Sequence, residues 1–307
     1  MAPAAASPDR PPVPAGADGA AVTSLTAAGR VVGRYVHRPG LPGRLSPRPY
    51  LHPLTTLGGV PVTDFMPADH PHHLGVSVAV PDVAGRNFWG GPTFVRDRGH
   101  VELDDRGVQD VVDGPAGGAD GFTEELSWRA DGGELLRERR TVAVRPLDED
   151  CWVLDLAFAL TNPGPRTLSL GSPATNGRPG AGYGGFFWRA PSGPGRAAVF
   201  TADAEGETAV HGRTADWLAL TGGPWTLVLA GATEETRRDP WFVRVADYPG
   251  VGSALAWAER LPVPPGATVA RRIVTAVVDG RLGRAEADAL ARRLTGGTGG
   301  PAGPGPV

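Results

Sequence analysis

Five of the seven histidines lie between residues 52 and 100: His52, His70, His72, His73 and His100. The densest stretch is Pro67-Ala68-Asp69-His70-Pro71-His72-His73-Leu74-Gly75, with three imidazoles and a carboxylate side by side. Histidine titrates near neutrality, so such a run suits proton transfer, with Asp69 orienting one ring. If the segment after Pro71 is extended, His70 and His72 share one face and His73 takes the other. A His-x-His pair on a strand can also chelate, so His70 and His72 could join His100 or His52 around a divalent metal ion. A turn whose rings cap backbone groups is the third possibility. A cupin-like metal site would place Glu about four residues after the pair; Val76 and Ser77 stand there instead. The run therefore favours acid–base chemistry without a cofactor, His70, His72 and His73 being the catalytic candidates. A divalent metal held by His70, His72 and His100 is the alternative.

Further blocks add polar and aromatic groups suited to a sugar. Asn87-Phe88-Trp89-Gly90-Gly91 offers an indole for stacking on a ring and an amide for hydroxyls. Glu138 and Arg140 share one face of an alternating segment, which makes Glu138 a candidate acid or base held by Arg140. Tyr183 to Arg189 and Trp241 to Arg244 each set an arginine after aromatics, near turns, where it could grip a ligand oxygen. The substrate-binding candidates are thus His52, Asn87, Trp89, His100, Arg140, Tyr183, Arg189, Trp241 and Arg244.

The elements that must position these residues are strands. Trp152, Leu154, Leu156, Phe158 and Leu160 alternate with smaller or polar residues, and Leu135 to Arg145 alternates likewise. Trp217–Leu220 and Trp225–Leu229 flank Thr221-Gly222-Gly223-Pro224 as a hairpin, and Thr268–Val278 is another long strand. Only Arg284–Leu294 has helical spacing without Gly or Pro. Many strands and one late helix predict an all-β chain, a large antiparallel β-sandwich with a single C-terminal helix. Residues 1–22 and 296–307 read as disordered Gly/Pro-rich tails around a single domain over 23–295.

Composition excludes several functions. The thirty basic residues are all arginine. Without lysine there is no Schiff-base or P-loop chemistry. A net charge of -3 gives no footprint for nucleic acid. No apolar run is long enough to span a membrane, and no G-x-G-x-x-G opens a helix after a strand. The lone Cys151 lies in an apolar run and reads as buried and inert, which fits a reducing, cytoplasmic setting. Nothing indicates an oligomeric partner.

The blocks Arg48-Pro49-Tyr50-Leu51-His52-Pro53, Pro61-Val62-Thr63, Asp69 to Gly75 and Asn87 to Gly90 occur in an order that resembles a soluble bacterial family labelled PmoA-like, over residues 30–280. That family has no assigned function. The label comes from a membrane methane monooxygenase subunit, and a chain without a spanning segment is not expected to share that activity. Leu160 to Leu170 resembles the strand–turn–strand of the galactose mutarotase-like supersandwich. This resemblance implies a sugar on a concave sheet and His with Glu or Asp performing ring-opening, elimination or hydrolysis. The aldose epimerase pattern is incomplete here, with Glu259 the only possible match to its late glutamate. The combined expectation is a carbohydrate-active enzyme of epimerase, lyase or hydrolase type, with Glu138 partnering the histidines. A metal-dependent oxygenase or hydrolase and a non-catalytic sugar-binding protein are the alternatives.

Overall fold

The computed structural model describes residues 21–193 and 196–296. The expected tails lie outside these residues, except for Ala21, for Val22, which opens the first strand, and for Gly296, which closes the last helix.

Two large antiparallel sheets pack face to face. The eight-stranded sheet runs β14 (Ala198–Phe200), β15 (Trp217–Thr221), β16 (Trp225–Gly231), β20 (Thr268–Asp279), β11 (Cys151–Thr161), β10 (Gly133–Asp148), β9 (Gly121–Ala130) and β8 (Val108–Gly118). The seven-stranded sheet runs β1 (Val22–Ala27), β2 (Arg30–Val36), β3 (Tyr50–Leu54), β4 (Val76–Ala79), β13 (Gly185–Arg189), β18 (Gly250–Ala254) and β17 (Trp241–Arg244). Period two decides which side chains meet. In β11 the even-numbered Trp152, Leu154, Leu156, Phe158 and Leu160 enter the core between the sheets, with Leu136, Val142 and Val144 of β10 beside them. The large antiparallel sandwich is the fold class that the alternation predicts.

The two outer faces are treated differently. Cys151 and Val153 point away from the central core and meet α3 (Arg284–Gly296), whose Ala287, Leu290, Ala291 and Leu294 form one apolar stripe. Burial raises the Cys151 thiol to about 12, so it stays protonated and unreactive. Over the outer face of the seven-stranded sheet, the loop residues Trp89, Tyr183 and Tyr248 pack on Phe187 and Phe242. Two small sheets complete the fold: β5 (Asp82–Val83) with β12 (Leu168–Gly171) and β19 (Leu261–Val263), whose Val83, Leu170 and Val263 join the central core, and the hairpin β6 (Thr93–Val95) with β7 (Gly99–Val101).

Two features depart from the sequence expectation. Single helical turns α1 (Glu207–Val210) and α2 (Glu234–Arg237) accompany α3. Leu160 to Leu170 does form strand, turn and strand, but β11 and β12 belong to different sheets. Asn162 explains the divergence: its amide donates to the Arg166 and Val263 carbonyls at 2.8 Å each, steering the chain out of the large sheet.

Candidate active site

The histidine block folds as two successive turns. The His70 N–H donates to the Pro67 carbonyl and the His73 N–H to the His70 carbonyl, each at 2.9 Å. The extended geometry expected after Pro71 is therefore absent. Residues three apart in a turn lie over one another, so the His70 and His73 rings stack with centroids 4.6 Å apart. His72 meets the edge of His73 at 4.8 Å.

Arg48 holds this block to the sheet. It is buried, and its guanidinium donates to the His72 carbonyl at 2.8 Å, the Trp89 carbonyl at 2.9 Å and the Ser77 hydroxyl on β4 at 3.2 Å. No carboxylate pairs with it among the described residues, and burial, then Arg140, brings it down to about 9. It stays charged at neutral pH. Gly91, at φ +69°, lets the 87–91 turn close over His72; a Cβ there would sit 2.7 Å from His72 Nδ1.

The three imidazoles have different environments. His70 Nδ1–H donates to Asp69 at 2.8 Å, and the pair remains open to solvent, with side chains 33% and 56% exposed. Burial opposes the shift at Asp69, but the His70 hydrogen bond and charge outweigh it and hold the carboxyl below its usual range. His72 is pushed down to about 3, first by burial and then by Arg48, His70 and Arg106. Its Nδ1 is buried without a partner. His73 is also pushed well down, chiefly by burial, and its Nδ1 accepts from Arg189 at 3.4 Å. Two neutral rings thus back one ring that a carboxylate orients.

Residues far along the chain complete the surface. Tyr248 contacts His70 and His73, with centroids 4.7 and 5.2 Å away, and Arg189 lies over its ring at 4.4 Å. Arg189 comes from the outward parity of β13 with Phe187, while Phe186 and Trp188 fill the central core. Its Nε is buried without a partner, and Asp64 approaches no nearer than 3.7 Å. Beyond lie Tyr183, raised to about 12 by burial, and Arg244, stacked 4.7 Å over Phe242. His211 adjoins them: its Nδ1 accepts from the Val243 N–H at 3.1 Å, so Nε2–H donates to the Gly180 carbonyl at 2.7 Å. Burial, then Arg244, lowers its pKa. Tyr248, His211 and Asp64 were missed as site residues by sequence reasoning; Tyr248, in the loop between β17 and β18, reaches the block only through pairing of β13, β18 and β17, and His211 joins Arg244 farther along the same side.

The remaining expected residues are distributed as follows. Glu138 and Arg140 are not on this face. They lie between the sheets, 0% and 1% exposed, with Arg140 Nε and Nη2 donating to Glu138 at 2.7 and 2.9 Å. Trp128 Nε1 also donates to Glu138 at 2.8 Å, and Arg140 continues to the Tyr35 hydroxyl and to Gln109. Burial raises the Glu138 carboxyl, against the opposing charge of Arg140. Trp241 also faces the central core and donates to the Ala215 carbonyl. Asn87 has no amide capacity left for a ligand: its Oδ1 accepts from the Trp89 and Gly90 N–H groups, and its Nδ2 donates to Thr93 and Gly91. Trp89, 4% exposed between Tyr183, Phe187 and His73, is a floor and offers no open face for stacking. His52 is half-buried beside Asp64, accepts from Thr63, and is lowered to about 4 by burial, which the Asp64 charge opposes. His100 sits on β7 and pairs with Arg178 at 3.1 Å. Glu259 is exposed in the loop after β18. Among the described residues no three His, Cys, Asp or Glu side chains gather as a metal ion would require. The turn geometry also removes the strand-borne His-x-His pair on which the His70, His72 and His100 ligand set depended.

The larger clefts lie elsewhere. One of about 650 Å³ runs beside α3 past Trp217 and Asp288, and one of about 610 Å³ lies between Asp82 and the β6–β7 hairpin. A smaller one, about 150 Å³, shares Tyr248 with the histidine face. Volume and chemistry disagree here. Among the described residues, the histidine face combines the neutral, partly open His72 ring with its buried, unpartnered Nδ1, and such perturbed groups mark a functional site better than volume does.

Residues 22–292 match a family described as a family of unknown function, DUF6807. The chain belongs to this family. No curated protein matches the sequence. In fold, this DUF6807 member is similar to a putative aldose 1-epimerase from Escherichia coli K12, at 10% identity and a TM-score of 0.46, over 85% of this chain and 100% of that one. It is also similar to the Slr1438 protein from Synechocystis sp. PCC 6803, at 11% identity and a TM-score of 0.45, over 91% and 100%. A polysaccharide lyase matches over 61% of this chain and 25% of its own, at 13% identity and a TM-score of 0.29. The PmoA-like label comes with none of these matches.

Proposed function

We propose that the outer face of the seven-stranded sheet binds a carbohydrate and that His70 moves a proton on it. The observation that carries the reading is the Asp69–His70 pair at 2.8 Å, open to solvent and stacked on a buried, neutral imidazole. Asp69 accepts the hydrogen bond from Nδ1–H and so fixes the tautomer, which leaves His70 Nε2 as the basic atom. In the open-chain form of a sugar, Nε2 would accept the proton from the carbon next to the carbonyl. The C–H electron pair becomes the C=C bond, and the carbonyl oxygen becomes an enolate oxygen. The Tyr248 hydroxyl, on the ring that contacts His70, stabilises that oxygen. Return of the proton to either carbon or either face gives an isomer or epimer. Tyr248 and Tyr183, both half-buried, supply the ring-stacking surface that Trp89 cannot.

Deuterium uptake from D2O tests the reading. Aldoses, ketoses and uronic acids are incubated with the full chain and followed by proton NMR. Wild type should catalyse exchange next to the carbonyl of at least one sugar, and His70→Asn should slow it by about 10²–10⁴-fold while leaving the melting temperature in place. Exchange that survives His70→Asn would remove His70 from the chemistry. Binding with no turnover would make the face a sugar-binding site only.

A further inference from the structure

Two cations near the histidine face, Arg178 and Arg244, have no close carboxylate partner among the described residues. The whole chain is slightly acidic, at -3, so this is local and not a matter of composition. Asp69 is taken by His70. Asp64 comes no nearer than 3.7 Å to Arg189. Glu207 comes no nearer than 3.6 Å to Arg244, because its other oxygen accepts from the Val245 and Ala246 N–H groups at 2.7 and 2.9 Å. Arg178 has no carboxylate partner among the described residues, and its guanidinium donates to the neutral ring of His100. Arg189, 2% exposed, is too deep to touch a ligand. Arg178 is exposed and Arg244 partly so, and they flank one loop: Arg244 Nη2 stands 3.5 Å from the Gly180 carbonyl, two residues after Arg178. The Tyr183 hydroxyl lies within reach of Arg178.

Sugar hydroxyls both donate and accept, so a site for a neutral sugar mixes acceptors with donors. Beside Tyr183 the Arg178 and Arg244 guanidiniums both reach solvent, and Glu207 pairs only loosely with one of them, at 3.6 Å. We propose that the substrate is an acidic sugar whose carboxylate is held between Arg178 and Arg244 beside the Tyr183 hydroxyl. A guanidinium fork matches the two carboxylate oxygens, and two such forks discriminate strongly against an uncharged group. The inference rests on the reading of this face as a carbohydrate site and adds the charge of its substrate.

The test is calorimetric titration of the full chain with galacturonate and glucuronate, against galactose, glucose, the methyl ester of galacturonate and a sugar 6-phosphate. A uronate should bind at least about tenfold tighter than its ester or neutral counterpart. The advantage should shrink as salt is added and disappear in Arg178→Gln and in Arg244→Gln. His70→Asn should keep it, which separates this inference from the proton-transfer reading. Equal affinity for neutral sugars overturns the inference even where His70-dependent exchange is seen on them. Tighter binding of the sugar phosphate, or no binding of any sugar, also overturns it.

Discussion

Replacing Glu138 by Gln separates a structural role from a chemical one. The carboxylate is wholly buried and accepts three hydrogen bonds, two from Arg140 and one from Trp128, at 2.7–2.9 Å. Gln keeps one acceptor oxygen but removes the charge, so the Arg140 guanidinium, 1% exposed, loses its counter-ion and keeps only neutral hydrogen-bond partners, Tyr35 and Gln109 among them. Breaking a buried ion pair from one side costs about 3–5 kcal/mol. Domains approaching this size lose roughly 2–4 °C per kcal/mol, so the melting temperature should fall by about 6–20 °C. Removing both charges, Glu138→Leu with Arg140→Met, should recover part of that loss, because neither charge is left buried and unpaired, while Trp128 Nε1 and the Gln109 amide still lose a partner. Urea denaturation and thermal melting give both values, and titration with sugars gives the affinity of the folded variants. Affinity should stay within about twofold of wild type, as it does for sites that share no partners. A loss below about 1 kcal/mol, or sugar binding abolished at an unchanged melting temperature, would refute the placement of Glu138 as a core group.

Arg48→Met should destabilise by about 2–6 kcal/mol, since the His72 and Trp89 carbonyls each lose a close donor in a buried setting. A urea midpoint unchanged from wild type would show that Arg48 does not hold the histidine turns. The pH dependence has a definite sign. His72 and His52 titrate at about 3 and 4 in the folded chain, both chiefly because of burial, against 6.5 in the unfolded chain. Below pH 6.5 the unfolded chain takes up protons that the folded one refuses. Their contribution is therefore complete above pH 6.5 and is lost as pH falls towards 3–4, at up to about 1.4 kcal/mol per pH unit for each ring. The urea midpoint should fall between pH 7.5 and 5.0, and the drop should be smaller in His72→Asn. An identical drop in the variant would mean that His72 is not held neutral by its surroundings.

Much of the fold was legible because period two leaves a strong mark. β11 and β20 could be read from their alternation, and α3 from its spacing, since burial against a flat face enforces both. The same alternation held a signal about Glu138 that the sequence reading did not use. Leu136, Val142 and Val144 share its parity, which marks that side of β10 as the core side. Parity likewise sends Trp241 inward with Val243, and Arg244 outward with Phe242. The histidine block was visible as composition, but its geometry was not. His70-Pro71-His72 can run as a strand or a turn, and only the i→i+3 bonds decide. Asn87 looked like a ligand for hydroxyls because amide chemistry is the same whether a sugar or a turn uses it. Tyr248 and His211 stayed hidden, because 178 residues separate His70 from Tyr248 and no local motif links them.

A structure of the protein soaked with neutral and acidic sugars decides most directly where the chemistry lies. A sugar ring should appear against Tyr248, with an oxygen or the adjacent carbon facing His70 Nε2 and any carboxylate towards Arg178 and Arg244. A sugar bound instead in the 650 Å³ cleft beside α3, with the histidine face empty, would contradict the assignment.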